Sequence, residues 1–372
     1  MRRNESQEIV EQLLTTIGPR LATSLAEARA AAFVDGCLRR IGMKVTANAF
    51  RTNNTAALAY VLLNLIGLSA ALIAPFFPGP ALLVASVGLW LNVNSALLAT
   101  LPLPGPRRES QHVIGNRASE KATYRRVVLL APLDTHPGSQ LLWQLTGSRR
   151  PAQLIRATAF SLIALIALAA LVAPNAIWLY VKFAPAAVCF STLIAELLLA
   201  SGQTPQTAGA NEAGALATMI AAAGQLNELK TVQLWAVGIG ASNRSGVPFS
   251  EFLLHYPFDT DTTLFIAIEG IKRGQLAYAS RIGTLRPQPA DARLLHLAAT
   301  GDAADPLIDA EPLTNINPPL AEPLMRRGYR VLTILSRNDH PTQPDNGVDI
   351  QLVERATRLI VAIVNRIDQG AD

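Results

Sequence analysis

Four places in this 372-residue chain set carboxylates or imidazoles beside residues that end a strand or begin a helix: Asp134 with His136, Asn211 with Glu212, Glu269, and Asp339 with His340. Carboxylates and imidazoles converging from several strand ends are what a hydrolytic metal centre requires, because the metal polarises a carbonyl and acidifies a bound water. Each also has a plainer reading. Asp134 and Glu212 suit helix caps or partners of a helix N-terminal dipole. Glu269 stands just before Lys272 and Arg273 and can pair with either, and His340 suits an exposed loop. Taken singly, the plainer reading is favoured, since a metal site needs ligand number and geometry together.

Side chains so far apart in sequence meet only if regular elements carry them. Val127–Leu130 is a continuous apolar run leading into Ala131-Pro132-Leu133-Asp134, the pattern of a strand buried on both faces. Further strands are expected over Met43–Phe50, where apolar and polar residues alternate, near His112–Gly115, and at Val232–Val237, Leu264–Ile268 and Val331–Leu335. Helices are expected near Glu5–Ile17 and from a capping box at Ser24 and Glu27 to a stop at Gly42. Two more fall across Glu212–Leu226, behind an Asn211 cap, and over the amphipathic Ile350–Ile367. This alternation predicts an α/β fold with a largely parallel sheet flanked by helices, whose sites form at the carboxyl ends of its strands.

Composition adds a second component. Half of the residues are hydrophobic and only 16% are charged, against about 25% in an average soluble domain. The deficit is concentrated: from Thr52 to Pro106, and again from Ala157 to Val181, there is no Asp, Glu, Lys, Arg or His. A bilayer core about 30 Å thick calls for about 20 apolar residues per helix. Each run breaks once at turn residues, at Pro75–Pro80 and at Pro174-Asn175, with Phe76, Phe77, Trp178 and Tyr180 beside the breaks. The expectation is four transmembrane helices in two hairpins, 55–102 and 157–200. These interrupt one discontinuous domain made of 1–54, 103–156 and 201–372. Lys182 is expected to snorkel, and Glu196, close to Ala200, to reach water.

Arg39, Arg40, Lys44, Arg51, Arg107 and Arg108 flank the first hairpin and Arg149, Arg150 and Arg156 the second, while neither tight turn carries a charge. The polar domain is therefore expected on the cytoplasmic side of a bacterial plasma membrane, with Leu141–Arg156 lying along the interface. The polar-rich first 54 residues predict no N-terminal signal peptide. The net charge of +5 is assigned to arginines facing anionic lipid, so the expected partners are the lipid bilayer and a membrane protein or second copy, with no nucleic acid. Cys37 and Cys189 make no disulfide framework.

The order of these elements resembles the di-zinc aminopeptidase family, the twenty-eighth family of metallopeptidases, which also includes non-peptidase relatives. Ile17-Gly18-Pro19-Arg20, the helix to Gly42 and the strand to Phe50 look like the family's opening. Gln111-His112-Val113-Ile114-Gly115 is similar to its asparagine-valine-isoleucine strand, and Val127–Asp134 to its strand ending in His-x-Asp. Gly209-Ala210-Asn211-Glu212 resembles its Gly-Ala-Asn-Asp turn, Val232–Gly246 the strand before its Glu-Glu pair, and Leu264–Gly270 the strand ending in Asp-x-x-Gly. Gly328–His340 resembles the final strand and ligand histidine.

The resemblance implies two zinc ions bridged by an aspartate, with a glutamate as general base. Carried over position by position, most of that set is missing. The first ligand histidine falls on Pro132, the bridging aspartate on Glu212, the Glu-Glu pair on Gly240 and Ala241, and the third-strand aspartate on Glu269, while Asp134 and His340 are retained. One zinc position is left with Glu212 and Glu269, the other with Glu212 and His340, whereas catalytic zinc typically takes three protein ligands plus water. The general-base position is Gly240, and no Asp or Glu lies between Glu228 and Glu251. The expectation is a membrane pseudo-peptidase acting in binding or complex assembly, with no cofactor, or zinc if any, and with Glu212, Glu269, His340 and His136 as vestigial ligands. The alternative is an active membrane-tethered aminopeptidase, or a mononuclear hydrolase or cyclase built from those four residues.

Overall fold

A run of β-branched and aliphatic residues with no polar interruption can be satisfied only as a strand covered on both sides, and β3 (Arg125–Pro132) takes that central place. Its Val127, Leu129 and Ala131 point into one core and its Val128 and Leu130 into the other, the period-2 alternation of an extended chain. The computed structural model describes residues 3–53, 57–94, 98, 107–121, 123–135, 145–147, 150–200, 209–242, 247–283, 287–314, 316, 318–337 and 347–370.

Around β3 lie β4 (Val232–Ile239) and β5 (Thr263–Ile268), both parallel to it. β10 (Arg330–Arg337) extends the parallel set beyond β5. On the other side β2 (Arg107–Arg117) runs antiparallel to β4, and β1 (Lys44–Asn53) antiparallel to β2. With β6 (Gln275–Ala279) and β9 (Ala310–Leu313) the sheet has eight strands in the order β1-β2-β4-β3-β5-β10-β6-β9. A separate two-stranded pair, β7 (Arg281–Ile282) and β8 (Gln288–Pro289), stands beside it. β1 and β2 run past the expected 43–50 and 112–115 because they pair backbone to backbone from Lys44↔Asn116 to Asn53↔Arg107, a ladder that needs no apolar side chains.

One face of the sheet is covered by α1 (Arg3–Glu11), its π-helical continuation Gln12–Ile17, α2 (Leu25–Arg40), α8 (Ala210–Gln225), α10 (Ala292–Ala304) and α12 (Ile350–Asp368). The opposite face is covered by α9 (Val247–His255) and α11 (Ala321–Met325), with Phe252, Phe258 and Leu324 in the core between. Asn211 does not cap α8 as expected: the cap position is Gly209, and Asn211 lies within the first turn.

The two apolar runs form α3 (Ala57–Ile73) and α4 (Pro78–Val93), between β1 and β2, and α5 (Arg150–Val172), a single turn α6 (Trp178–Val181) and α7 (Phe183–Ala200), between β3 and α8. The four long helices pack together around Phe160, Ile163, Leu63 and Cys189. Gly88 is required at the crossing of α4 and α5, since a Cβ there would stand 2.3 Å from the Phe160 ring; small residues permit such close helix approach. Among the described residues two helices are long and apolar enough to cross a membrane, Pro151–Val172 and Trp178–Leu198, where the sequence predicted four. Leu58–Ile73 and Pro78–Val93 are shorter: 16 residues at 1.5 Å each give about 24 Å.

Two further expectations are corrected here. Arg156 does not lie along an interface, and Glu196 does not reach water. Both are fully buried in the bundle, 3.4 Å apart. The Arg156 guanidinium also donates to Asn92 of α4 and to the Gly147 carbonyl, and it lies 4.8 Å from the Tyr60 ring of α3. Lys182 sits near the turns, its ammonium 4.8 Å from the Phe76 ring and 3.5 Å from the Leu72 carbonyl. Cys37 and Cys189 are both buried.

Candidate functional site

The carboxyl ends of β3, β4 and β5 open onto a cleft of about 250 Å³ whose walls include Pro132, Glu212, Ser242, Glu269, Pro319 and Thr333. The sheet's parallel order explains the meeting: Pro132 pairs with Ile239 across β3 and β4, and Glu269 follows the last residue of β5. Glu212 comes from the first turn of α8 and is 2% exposed. Two of the expected carboxylates are thus brought together. Glu269 does not pair with Lys272 or Arg273; its Oε1 accepts a hydrogen bond of 2.9 Å from the Leu320 backbone N–H. His136 and His340 lie outside the described residues.

Asp134 is buried and is not among the residues lining the cleft. Its Oδ1 accepts from both the backbone N–H and the hydroxyl of Ser242, at 2.6 and 2.5 Å. This belongs to a larger arrangement around the turn 240–242, where the resemblance would put the family's Glu-Glu pair. Gly240 N–H donates to His112 Nδ1 at 3.4 Å, Ala241 N–H to Glu27 Oε1 at 2.7 Å, and Ser242 N–H to Asp134 Oδ1. Three successive amides are therefore each received by a buried titratable side chain, from β2, α2 and the end of β3. The turn is tight enough to give Ala241 a φ of 48°. Position 240 has no room for a side chain, since a Cβ there would stand 2.2 Å from the Gln111 carbonyl oxygen.

Glu27 also accepts from Ser110 Oγ at 3.0 Å and from Thr23 N–H at 2.5 Å, so the capping-box residue has a second, long-range task. Burial, reinforced by the nearby Asp134 charge, pushes the Glu27 carboxyl up to about 7. Burial raises Glu269 further, to about 8, against two backbone N–H bonds that favour its charged form. His112 is driven down to about 3 by burial and is neutral at pH 7, stacked 4.4 Å from Phe50, with its Nε2 3.1 Å from the Pro248 carbonyl oxygen. Arg20 is fully buried; it donates to the carbonyls of Leu133, Leu13, Gly18 and Gly209. Its charge is felt by Glu212 and Asp134.

Arg20, Glu27 and His112 were not singled out as site residues in the sequence. Their roles depend on contacts with chain segments remote in sequence, which no local pattern marks; the only signal was their place inside the resembling segments Gly18-Pro19-Arg20, Ser24–Glu27 and Gln111–Gly115.

The fold raises the question of zinc, and the described residues do not fit a two-zinc centre. Pro132 offers no donor atom, position 240 cannot carry a side chain, and Asp134 Oδ1 is already shared by two donors of Ser242. Among the described residues no group of three His, Cys, Asp or Glu is placed to hold a metal ion.

The fold is that of zinc aminopeptidases and glutaminyl cyclases. A zinc aminopeptidase from Bacillus subtilis superposes with a TM-score of 0.57 at 10% identity, over 98% of this chain and 95% of that one. An aminopeptidase from Aneurinibacillus sp. strain AM-1 gives 0.54 at 10% identity, over 98% and 93%. A glutaminyl cyclase from Porphyromonas gingivalis gives 0.53 at 8% identity, over 98% of each chain. At these identities the likeness is one of fold. No family model and no curated protein sequence matches the chain.

Proposed function

We propose that the chain is an integral membrane protein whose aminopeptidase-like domain has lost peptidase chemistry and acts by binding, or in assembly with a membrane partner or a second copy. The observation that carries this is the turn 240–242: it spends its three amides on internal acceptors and leaves no space for a general base at Gly240. General-base catalysis contributes roughly 10²–10⁴-fold, and position 240, where the resemblance puts the base, cannot supply it. The cleft that remains, with Glu212 and Glu269 among apolar walls, is suited to holding a small ligand or a segment of a partner.

In this reading all four long helices lie in the bilayer, two as full spans and two as a shorter hairpin packed against them, and the α/β domain faces the cytoplasm. The apolar side chains exposed around the bundle, among them Leu83, Leu165, Val172 and Phe190, support a lipid surroundings, which apolar patches of this extent require. The test is turnover of a panel of aminoacyl nitroanilides by the detergent-purified protein with added zinc. The expected result is no release above the uncatalysed rate. Zinc-dependent release, abolished by substituting Glu212 or His340, would establish the alternative hydrolase instead.

A further inference from the structure

Both helical insertions leave the α/β domain from one end of the sheet. β1 leads into α3 after Asn53, and β2 begins at Arg107 on the way back from α4, with Asn53 and Arg107 paired across the two strands. The second insertion starts beyond β3 and returns to α8, and the Arg20 guanidinium takes the carbonyls of Leu133 and Gly209 together at its two ends. The strand registers place all these points at the carboxyl end of the parallel strands. Towards that end β2 parts from β4 at Val113↔Gly238 and continues beside β1 to Arg107, about 20 Å of ribbon at about 3.4 Å per residue. The cleft opens at the same end, beyond Pro132 of β3 and the last residue of β5. It therefore faces the helical bundle, and the bilayer if the bundle lies in one.

The described polar groups of the cleft wall are mostly acceptors. Glu212 and Glu269 bring carboxylates, and Ser242 has given its hydroxyl proton to Asp134 Oδ1. On β10, Leu332 and Ile334 point into the core beneath α8, so Thr333 points the other way, to the cleft. Thr333 is fully buried, and its hydroxyl has no hydrogen-bond partner among the described residues. Buried polar atoms are ordinarily met by a partner, and leaving one unmet is costly. The remaining wall is apolar, with Pro132, Pro319 and Leu320. We propose that the cleft binds the headgroup of a membrane lipid that offers O–H or N–H donors, with the Thr333 hydroxyl as one of the recognising groups. The inference rests on the reading that the bundle lies in the bilayer, and the experiment separates failure of one from failure of the other.

The experiment has two arms on the full-length protein, whose own cysteines are buried. In the first, a fluorophore is attached through Glu109→Cys, on the ribbon, or Glu120→Cys, past the other end of β2; both positions are exposed. In phosphatidylcholine vesicles containing a lipid with a nitroxide on its headgroup, quenching is expected to be several-fold stronger at 109 than at 120. No quenching at either position would remove the membrane reading and the proposal with it, whereas equal quenching, or stronger quenching at 120, overturns the proposal alone. In the second arm, calorimetry in detergent micelles measures binding of dihexanoyl phosphatidylethanolamine, phosphatidylglycerol and phosphatidylcholine. The expected result is binding of the ethanolamine or glycerol lipid about 10-fold tighter than the choline lipid, whose headgroup has no O–H or N–H. Thr333→Val, which removes a hydroxyl without a described partner, should cut that preference about 2- to 10-fold and leave the thermal midpoint no lower. The proposal is overturned if neither lipid is preferred to the choline lipid, if Thr333→Val keeps the full preference, or if free ethanolamine or glycerol binds as tightly as the lipids.

Discussion

Glu196 Oε1 stands 3.4 Å from the Arg156 guanidinium, and both side chains are buried. The same Glu196 oxygen accepts from the Gly147 N–H at 2.7 Å while the Gly147 carbonyl accepts from Arg156, so the pair joins two helices and the chain that leads into them. Removing one member of a buried pair leaves an uncompensated charge and costs about 3–5 kcal/mol, whereas replacing both with apolar side chains of similar size is often neutral. Arg156→Met alone and Glu196→Leu alone should each lower the thermal midpoint in detergent, and the double variant should recover most of the loss. Additive losses in the double variant would show that the two do not act as a pair.

A glutamate introduced at position 240, where the resemblance puts a base, should not create a peptidase. Because the Gln111 carbonyl occupies the space a Cβ needs, Gly240→Glu must displace β2 or the turn, and overpacking of this kind typically costs about 1–3 kcal/mol. The expected outcome is a lower urea midpoint with an unchanged slope and no aminoacyl hydrolysis. A gain of zinc-dependent activity would mean that the turn opens readily enough to rebuild the site.

Stability should depend on pH with two limbs of opposite sign. Glu27 and Glu269 are raised from 4.5 to about 7 and about 8, so the stability they contribute is fully present below 4.5 and is lost as pH rises through those values. His112 is lowered from 6.5 to about 3, so its contribution is present above 6.5 and is lost as pH falls toward 3. The unfolding midpoint should therefore be highest on the acid side of neutrality and decline toward pH 8. Glu269→Gln should flatten the decline between pH 4.5 and 8 and leave the acid limb intact; an unchanged decline would contradict the assignment to Glu269.

The membrane arrangement is open to a direct labelling test. With the α/β domain in the cytoplasm, the turn at Phe76–Pro78, where Phe76 and Phe77 are well exposed, faces the other side. A cysteine at Gly79, in a chain whose own two cysteines are buried, should react with an impermeant maleimide on intact cells. Labelling only after permeabilisation would reverse the topology.

Much of the framework was legible in the residues themselves. The apolar runs at Val127–Leu130 and Leu264–Ile268 could be nothing but covered strands, and α12 follows its amphipathic period to within a residue. The short β6 and β9, at five and four residues, were missed, since so few positions define no period. The placing of the resembled family's ligand and base positions on Pro132 and Gly240 rests on the sequence alone; the structure adds that a Cβ at 240 would meet the Gln111 carbonyl. What the residues could not disclose is the set of long-range contacts around that turn. Glu27 looks like a local cap, and its bond to Ala241 spans 214 positions. Arg156 and Glu196 looked like interfacial charges because burial in a bundle is decided by how four helices pack, not by where each charge sits along its own run.

The central claim is that the cleft is no longer a zinc peptidase site, and its most direct test is metal content. The protein is purified in detergent without chelator, exposed to excess zinc, exchanged into zinc-free buffer and measured by elemental analysis against protein concentration. The expected result is well below one zinc per chain, unchanged by substituting Glu212 or Glu269. One or two zinc ions per chain, lost on those substitutions, would contradict it.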